Sequence, residues 1–194
     1  MRNLIWAAVS VLIAGGAQAA TLDVIGGILH GASGVIVDGS SYDVEFLDGT
    51  CIALFNGCDD VSDFTFQSLA AATLASQALF DQVLLDGPAG NFNSNPDITN
   101  GCVPSASTTV GSGVGGCWIA TPYQPGGLVA GAYNDNIAFD TLSSTTSYPI
   151  GLDTIISGRD NYAVWSLVPE PSTALLLGLG LTGLSWSGGR RNRS

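Results

Sequence analysis

Apolar and acidic side chains alternate with period two along Tyr42-Asp43-Val44-Glu45-Phe46, the pattern of an antiparallel strand with one buried and one wet face. The β-branched run Gly34-Val35-Ile36-Val37 precedes it, and Asp38-Gly39-Ser40 between them is a hairpin-turn signal. A second turn, Asp48-Gly49, leads into Cys51-Ile52-Ala53-Leu54-Phe55. Residues 21–54 are thus predicted to be strands, in their simplest form a three-stranded meander. From Ser68 to Leu85 the pattern changes to an alanine-rich run without Gly or Pro, closed by Gly87-Pro88. It predicts one helix with Gly87 at the C-terminal cap position. Ala71, Leu74, Ala75, Ala78, Leu79 and Val83 share one face, and Leu69, Phe80 and Leu84 another. Such a helix is expected to be buried on more than one side. No cationic face accompanies the apolar ones, so it is a packing element and not a membrane-surface helix.

Residues 88–116 are rich in Gly, Ser, Asn and Pro and read as a long loop. Strand character returns at Cys117-Trp118-Ile119-Ala120, Ile137-Ala138-Phe139 and Tyr162-Ala163-Val164-Trp165-Ser166-Leu167. The last has large apolar groups on both faces, which predicts cover on both sides. No repeat of 20–50 residues marks a solenoid or propeller. The expected fold is mainly β, or α+β: an antiparallel, sandwich-like or layered domain with one buried helix at about 68–85.

The ends of the chain differ from this middle. Met1-Arg2-Asn3 is a short positive region, Leu4 to Ala14 an apolar core, and Ala17-Gln18-Ala19 a small-x-small cleavage pattern. This predicts a secretory signal peptide at 1–19, cut after Ala19; its core is too short to span a bilayer comfortably. No cysteine precedes Cys51, which excludes a lipoprotein cleavage site. At the other end, residues 172–186 are free of charge and are followed by Arg190, Arg191 and Arg193. As a helix at ~1.5 Å per residue they span about 22 Å, short of a ~30 Å hydrocarbon core. The arginines would stay on the cytoplasmic side, with the domain outside.

Export changes the reading of the four cysteines, Cys51, Cys58, Cys102 and Cys117. In an oxidising compartment an even number predicts disulfides. Three connectivities exist, and the sequential pairing Cys51–Cys58 and Cys102–Cys117 is favoured because each pair brackets a Gly- or Asn-containing loop. A zinc site would need CxxC-type spacing or more than the single His30. All but one of the chain's 16 acidic residues fall within 20–167, facing one basic residue, Arg159, for a net charge of −14; lysine is absent. Such a surface repels nucleic acid and anionic lipid, and leaves cations and neutral polysaccharide as acceptable partners.

Candidate chemistry is sparse. Asp59, Asp60 and Asp63 cluster after Cys58, and Asn91, Asn93, Asn95 and Asp97 alternate in the long loop. Alternating oxygen ligands suit calcium, the one cofactor expected at all, but neither run is an EF-hand loop. The other reading is turns and helix caps, with Asp63 near a helix start. A serine triad has only His30 to draw on and no GxSxG to meet it, and a secreted hydrolase is the remote alternative. Trp118, Tyr123, Tyr133, Tyr162 and Trp165 are either a sugar-stacking platform or, at strand-like spacing, core.

Val168-Pro169-Glu170-Pro171, the apolar segment and the terminal arginines together resemble the PEP-CTERM protein-sorting signal. The resemblance covers about 27 residues, 168–194. It implies an exported protein of a Gram-negative bacterium, with many members found in species that make extracellular polysaccharide. It also implies processing by an integral-membrane exosortase, with Pro169, Glu170 and Pro171 as the recognition element. Residues 172–186 would be the transient anchor and Arg190, Arg191 and Arg193 the retention signal. YDVEFLDGTC and YAVWS resemble a mature region shared among some of these proteins and imply no activity. The domain plan is then a signal peptide at 1–19, an extracytoplasmic β-rich domain at 20–167 and a sorting tail at 168–194. The expected partners are signal peptidase and the export machinery, exosortase, the membrane and exopolysaccharide, with no nucleic acid. The expected route is an inner-membrane intermediate, then the cell surface or medium. The expected function is that of a non-enzymatic surface or matrix protein; the alternative is a secreted carbohydrate- or calcium-binding module associated with exopolysaccharide.

Overall fold

The computed structural model describes residues 19–102, 116–135 and 140–169, with the backbone alone at 144–146. The expected signal peptide, the strand at 137–139 and the apolar tail segment therefore lie outside the described residues. Strands β1 (Thr21–Ile25), β2 (Ile28–Val37) and β3 (Ser40–Leu47) pair in sequence as an antiparallel meander. Asp38 and Gly39, with φ of 48° and 81°, make the two-residue hairpin turn whose left-handed backbone matches strand twist.

The third predicted strand is a correction. Cys51–Leu54 is a helical turn, α1, whose N-cap Thr50 accepts a hydrogen bond from the Ala53 N–H at 3.2 Å. Cys51 and Cys58 are disulfide-bonded with Cα atoms 5.7 Å apart. Seven extended residues would carry them about 23 Å apart, so the crosslink requires the chain to coil.

The predicted helix is α2 (Leu69–Gln82), capped by the Ser68 side chain, which accepts from the Ala71 N–H. It ends at Val83, not at Gly87. The Leu79 carbonyl accepts from both Val83 and Leu84, and ending there turns both side chains into the core. The buried stripe is Ala72, Ala75, Ser76, Leu79 and Val83, whereas Leu74 is half exposed. The small alanines let the helix lie close to the sheet. Gln82 completes the contact: its side-chain oxygen accepts from the Ile36 N–H at 2.9 Å and its amide donates to the Ile36 carbonyl at 2.8 Å. That satisfies the part of β2 which the short edge strand β1 leaves uncovered.

The long loop contains a tiny hairpin, β4 (Asp86–Gly87) with β5 (Gly90–Asn91), and a 3₁₀ turn at Pro96–Ile98. It is pinned to the sheet by buried Phe92 and by Asn100, whose amide donates to the Phe46 carbonyl. The remaining elements are β6 (Gly116–Gln124), β7 (Leu128–Asp135), β8 (Thr141–Ser147), the short helix α3 (Thr154–Ser157) and β9 (Asp160–Leu167). Seven strands form one sheet in the order β1-β2-β3-β9-β6-β7-β8, antiparallel at every pair except β9 with β6. The fold is thus β-rich as expected, in its layered form: one large sheet rather than two facing ones.

One face of that sheet is covered along its length and the other over its central strands. On the first, α2 packs over β6, β7 and β8 and against β2, in a core that also holds Val44, Phe46, Ile119, Ala132, Ala163 and Trp165. On the other, Phe55, Phe64 and the Cys51–Cys58 disulfide cover Ala120, Val129 and Tyr162. Alternate residues of β9 feed the two cores, which accounts for the two-faced apolar pattern of Tyr162–Trp165. Among the described residues no helix is long and apolar enough to cross a membrane.

Candidate functional site

The sorting motif begins where the central strand ends. Through Leu167, β9 is paired with β3 (Tyr42 opposite Leu167), and the Val168 N–H still donates to the Ser41 carbonyl at 2.9 Å. Pro169 has no N–H to offer, so the ladder stops there; the residue is exposed. An aromatic clasp holds the exit strand. Tyr42 and Phe66 have ring centroids 5.0 Å apart, Phe66 and Trp165 5.5 Å, and the Thr65 hydroxyl donates to the Trp165 carbonyl. The motif therefore follows a fixed strand without an intervening linker. Glu170, Pro171, Arg190, Arg191 and Arg193 lie outside the described residues.

Both disulfides follow the sequential pairing, Cys51–Cys58 and Cys102–Cys117. The acidic run after Cys58 is employed in local capping. The Asp63 carboxylate accepts from the backbone N–H groups of Asp59 and Asp60 and from the Asn56 amide, and Asp60 accepts from Ser62. Hydrogen bonds from Ser62 hold the Asp60 carboxyl below the usual range. In the long loop the Asn93 and Ser94 N–H groups donate to Asp86. Asn95 precedes the 3₁₀ turn without a side-chain cap bond, and Asp97 sits in that turn's first residues. Among the described residues no three His, Cys, Asp or Glu side chains converge in a way that could hold a metal. The turn-and-cap reading accounts for Asp60 and Asp63.

The five aromatic candidates divide. Tyr123, Tyr162 and Trp165 are buried in the core. Trp118 and Tyr133 are half-buried and stand directly opposite each other on β6 and β7, with ring centroids 6.5 Å apart and planes tilted by 39°. Together with Ser143, Tyr148 and Asp160 they line a shallow depression of about 330 Å³ on the disulfide-covered face. The rings rest on glycines. A methyl group at Gly131 would lie 2.3 Å from the Trp118 indole, and one at Gly116 2.2 Å from the Tyr133 hydroxyl. Tyr148 reaches the depression because its N–H donates to the Gly127 carbonyl, and Gly127 has φ of +82° with no room for a side chain. Ser143, Tyr148 and Asp160 were not expected from the sequence. The legible signal was the repeated tripeptide pattern Gly116-Cys117-Trp118 and Gly131-Ala132-Tyr133, which an antiparallel register turns into two rings, each over the other's glycine-cleared strand.

Burial dominates the electrostatics beneath this face. Tyr148 is held far above the ordinary tyrosine range, by burial first and by the neighbouring Asp160 next. Burial, helped by Asp160, pushes Tyr162 up to about 12. Between pH 10 and 12 an unfolded chain releases the Tyr162 proton while the folded chain keeps it, so stability falls as pH rises through that window. The slope is at most about 1.4 kcal/mol per pH unit. Urea midpoints measured at pH 9 and 11 are expected to drop, with a smaller drop in Tyr162→Phe; identical drops in both proteins would count against this assignment.

Residues 167–191 match the family model described as the PEP-CTERM protein-sorting motif. No curated protein and no solved structure matches the chain. The match begins at the last residue of β9 and includes the Pro-Glu-Pro triplet. The chain carries a PEP-CTERM sorting motif, which supports its export and its sorting by exosortase to the cell surface.

Proposed function

We propose that this is a non-enzymatic surface or matrix protein, delivered in two cuts: signal peptidase after Ala19, then exosortase within the tail. In this reading 1–19 is the export signal, 20–167 the delivered domain and 168–194 the sorting tail, anchored in the inner membrane until it is processed. The observation that carries it is the junction: the central strand runs directly into the matched motif, with Pro169 exposed one residue past the last ladder bond. A domain held this close to the bilayer must tolerate an anionic membrane surface, and its charge of −14 keeps it from adhering there. The four cysteines are locked in disulfides, which suits a scaffold exposed to the medium rather than a thiol catalyst. The second reading, a binding module for exopolysaccharide, is favoured by the aromatic depression on the sheet.

The test is delivery. Expressed in a host with an exosortase, the chain is expected in the surface or medium fraction, shortened at its C-terminus. In the same host without the exosortase it is expected at full signal-cleaved length in the membrane fraction. Equal release from both hosts would overturn the sorting route.

A further inference from the structure

The geometry points to a binding site for neutral saccharide on the sheet, with Trp118 and Tyr133 as its floor and Asp160 as its polar anchor. It rests on the binding-module reading above and gives it a place and a ligand class. Four adjacent strands build the site. Trp118 on β6 pairs with Asp160 on β9 on one side and with Tyr133 on β7 on the other, and Gly131 pairs with Ser143 on β8. Gly131 and Gly116 leave room for the two rings to lie down along the sheet instead of standing off it. A tilt of 39° at 6.5 Å makes a continuous shallow floor.

That shape selects among ligands. A pyranose ring has an apolar C–H face and an equatorial rim of hydroxyls. Its C–H face stacks on an aromatic floor, while the hydroxyls donate to a carboxylate at the edge. Asp160 is such a carboxylate: it accepts from the Ser157 hydroxyl and has the Tyr148 hydroxyl beside it, which orients it, and the four lone-pair sites of a carboxylate still leave room for a ligand's hydroxyl. The Trp118 indole N–H is buried without a hydrogen-bond partner, so packing on Gly131 holds the ring in place. A volume of about 330 Å³ accommodates one or two sugar rings. An anionic polysaccharide would meet Asp160 and a domain of charge −14. A quaternary ammonium would require rings that wall it in, and these two form a floor.

The experiment uses the full chain, exported so that both disulfides form and held in a detergent that contains no sugar. Gluco-, manno- and galacto-configured neutral hexaoses, an alginate hexamer and tetramethylammonium are titrated against tryptophan fluorescence. At least one neutral hexaose is expected to bind with a Kd of about 1 mM or tighter. Trp118→Ala and Tyr133→Ala, each verified as folded by near-ultraviolet circular dichroism, are expected to weaken it about tenfold or more. Saturation-transfer NMR on the unmodified protein, which needs no variant to fold, is expected to mark the ring C–H protons of the bound sugar. The assignment is overturned if no neutral hexaose binds at 10 mM, if a folded variant binds as the parent does, or if alginate or tetramethylammonium binds more tightly. None of these readouts involves exosortase, so a failure here leaves the sorting route standing.

Discussion

Replacing Glu170 by Ala is expected to leave nearly all of the protein in the membrane fraction at its signal-cleaved, unshortened length, while the parent is shortened and released. Glu170 is the only charged residue between Asp160 and Arg190, and it lies in the stretch matched by the sorting motif. Prolines flank it on either side, and a proline disfavours helical backbone at the residue before it, which suits a motif that an enzyme reads in extended form. The substitution falls beyond the domain. The last ladder bond is made by Val168, and the clasp of Tyr42, Phe66 and Trp165 is upstream of it. The thermal midpoint of the domain is therefore expected to stay within about 1 °C, because surface changes away from packed features move stability little. Immunoblots of membrane and medium fractions read the first effect and calorimetry the second. Release of the Ala variant at the parent's rate would remove the motif from the sorting scheme. Accumulation with a lowered midpoint would trace the retention to misfolding instead.

The sequence carried this tail in full view because its information is linear: a motif, an apolar stretch and a basic end, read in order. The same holds for β3 and for α2, whose periods of two and 3.6 are local properties. What was not legible arises between segments. Cys51–Phe55 has the composition of a strand, but the Cys51–Cys58 crosslink and the Thr50 cap decide for a helical turn. Gly87 resembles a helix cap, but α2 stops at Val83 so that Leu84 can enter the core. The aromatic floor required register. Trp118 and Tyr133 lie 15 positions apart, and Asp160 reaches them only because β9 inserts beside β6 in parallel. Period alone shows which residues share a strand face, not which strands are neighbours. The alternating charge of Tyr42–Phe46 was likewise readable. That Ser41, in the same strand, would hold the exit of the chain was not.

The other large effect is expected at Cys102–Cys117. The paired substitution Cys102→Ala with Cys117→Ala should lower the free energy of unfolding by about 3 kcal/mol, from the chain-entropy model for a loop of this size. Residues 102 and 117 are both buried against the core under α2. Alanine is the informative replacement, since serine would bury a hydroxyl there and add a polar cost. The seven-residue separation of Cys51–Cys58 gives about 2.4 kcal/mol in the same model, so loop length alone separates the two bridges only slightly. Position widens the difference. Asn100, two residues before Cys102, donates to the Phe46 carbonyl and accepts from the Asn161 amide, tying β3 and β9 to the segment that the disulfide fastens to β6. Releasing that end loosens three central strands at once, whereas opening Cys51–Cys58 frees one local turn packed on the second core. The Cys102/Cys117 variant is thus expected to have the lower urea midpoint of the two. Against a typical domain stability of about 5–15 kcal/mol, the loss is large enough to lower the exported yield as well. A midpoint equal to the parent's would mean that the two Asn100 hydrogen bonds hold the sheet together without the crosslink.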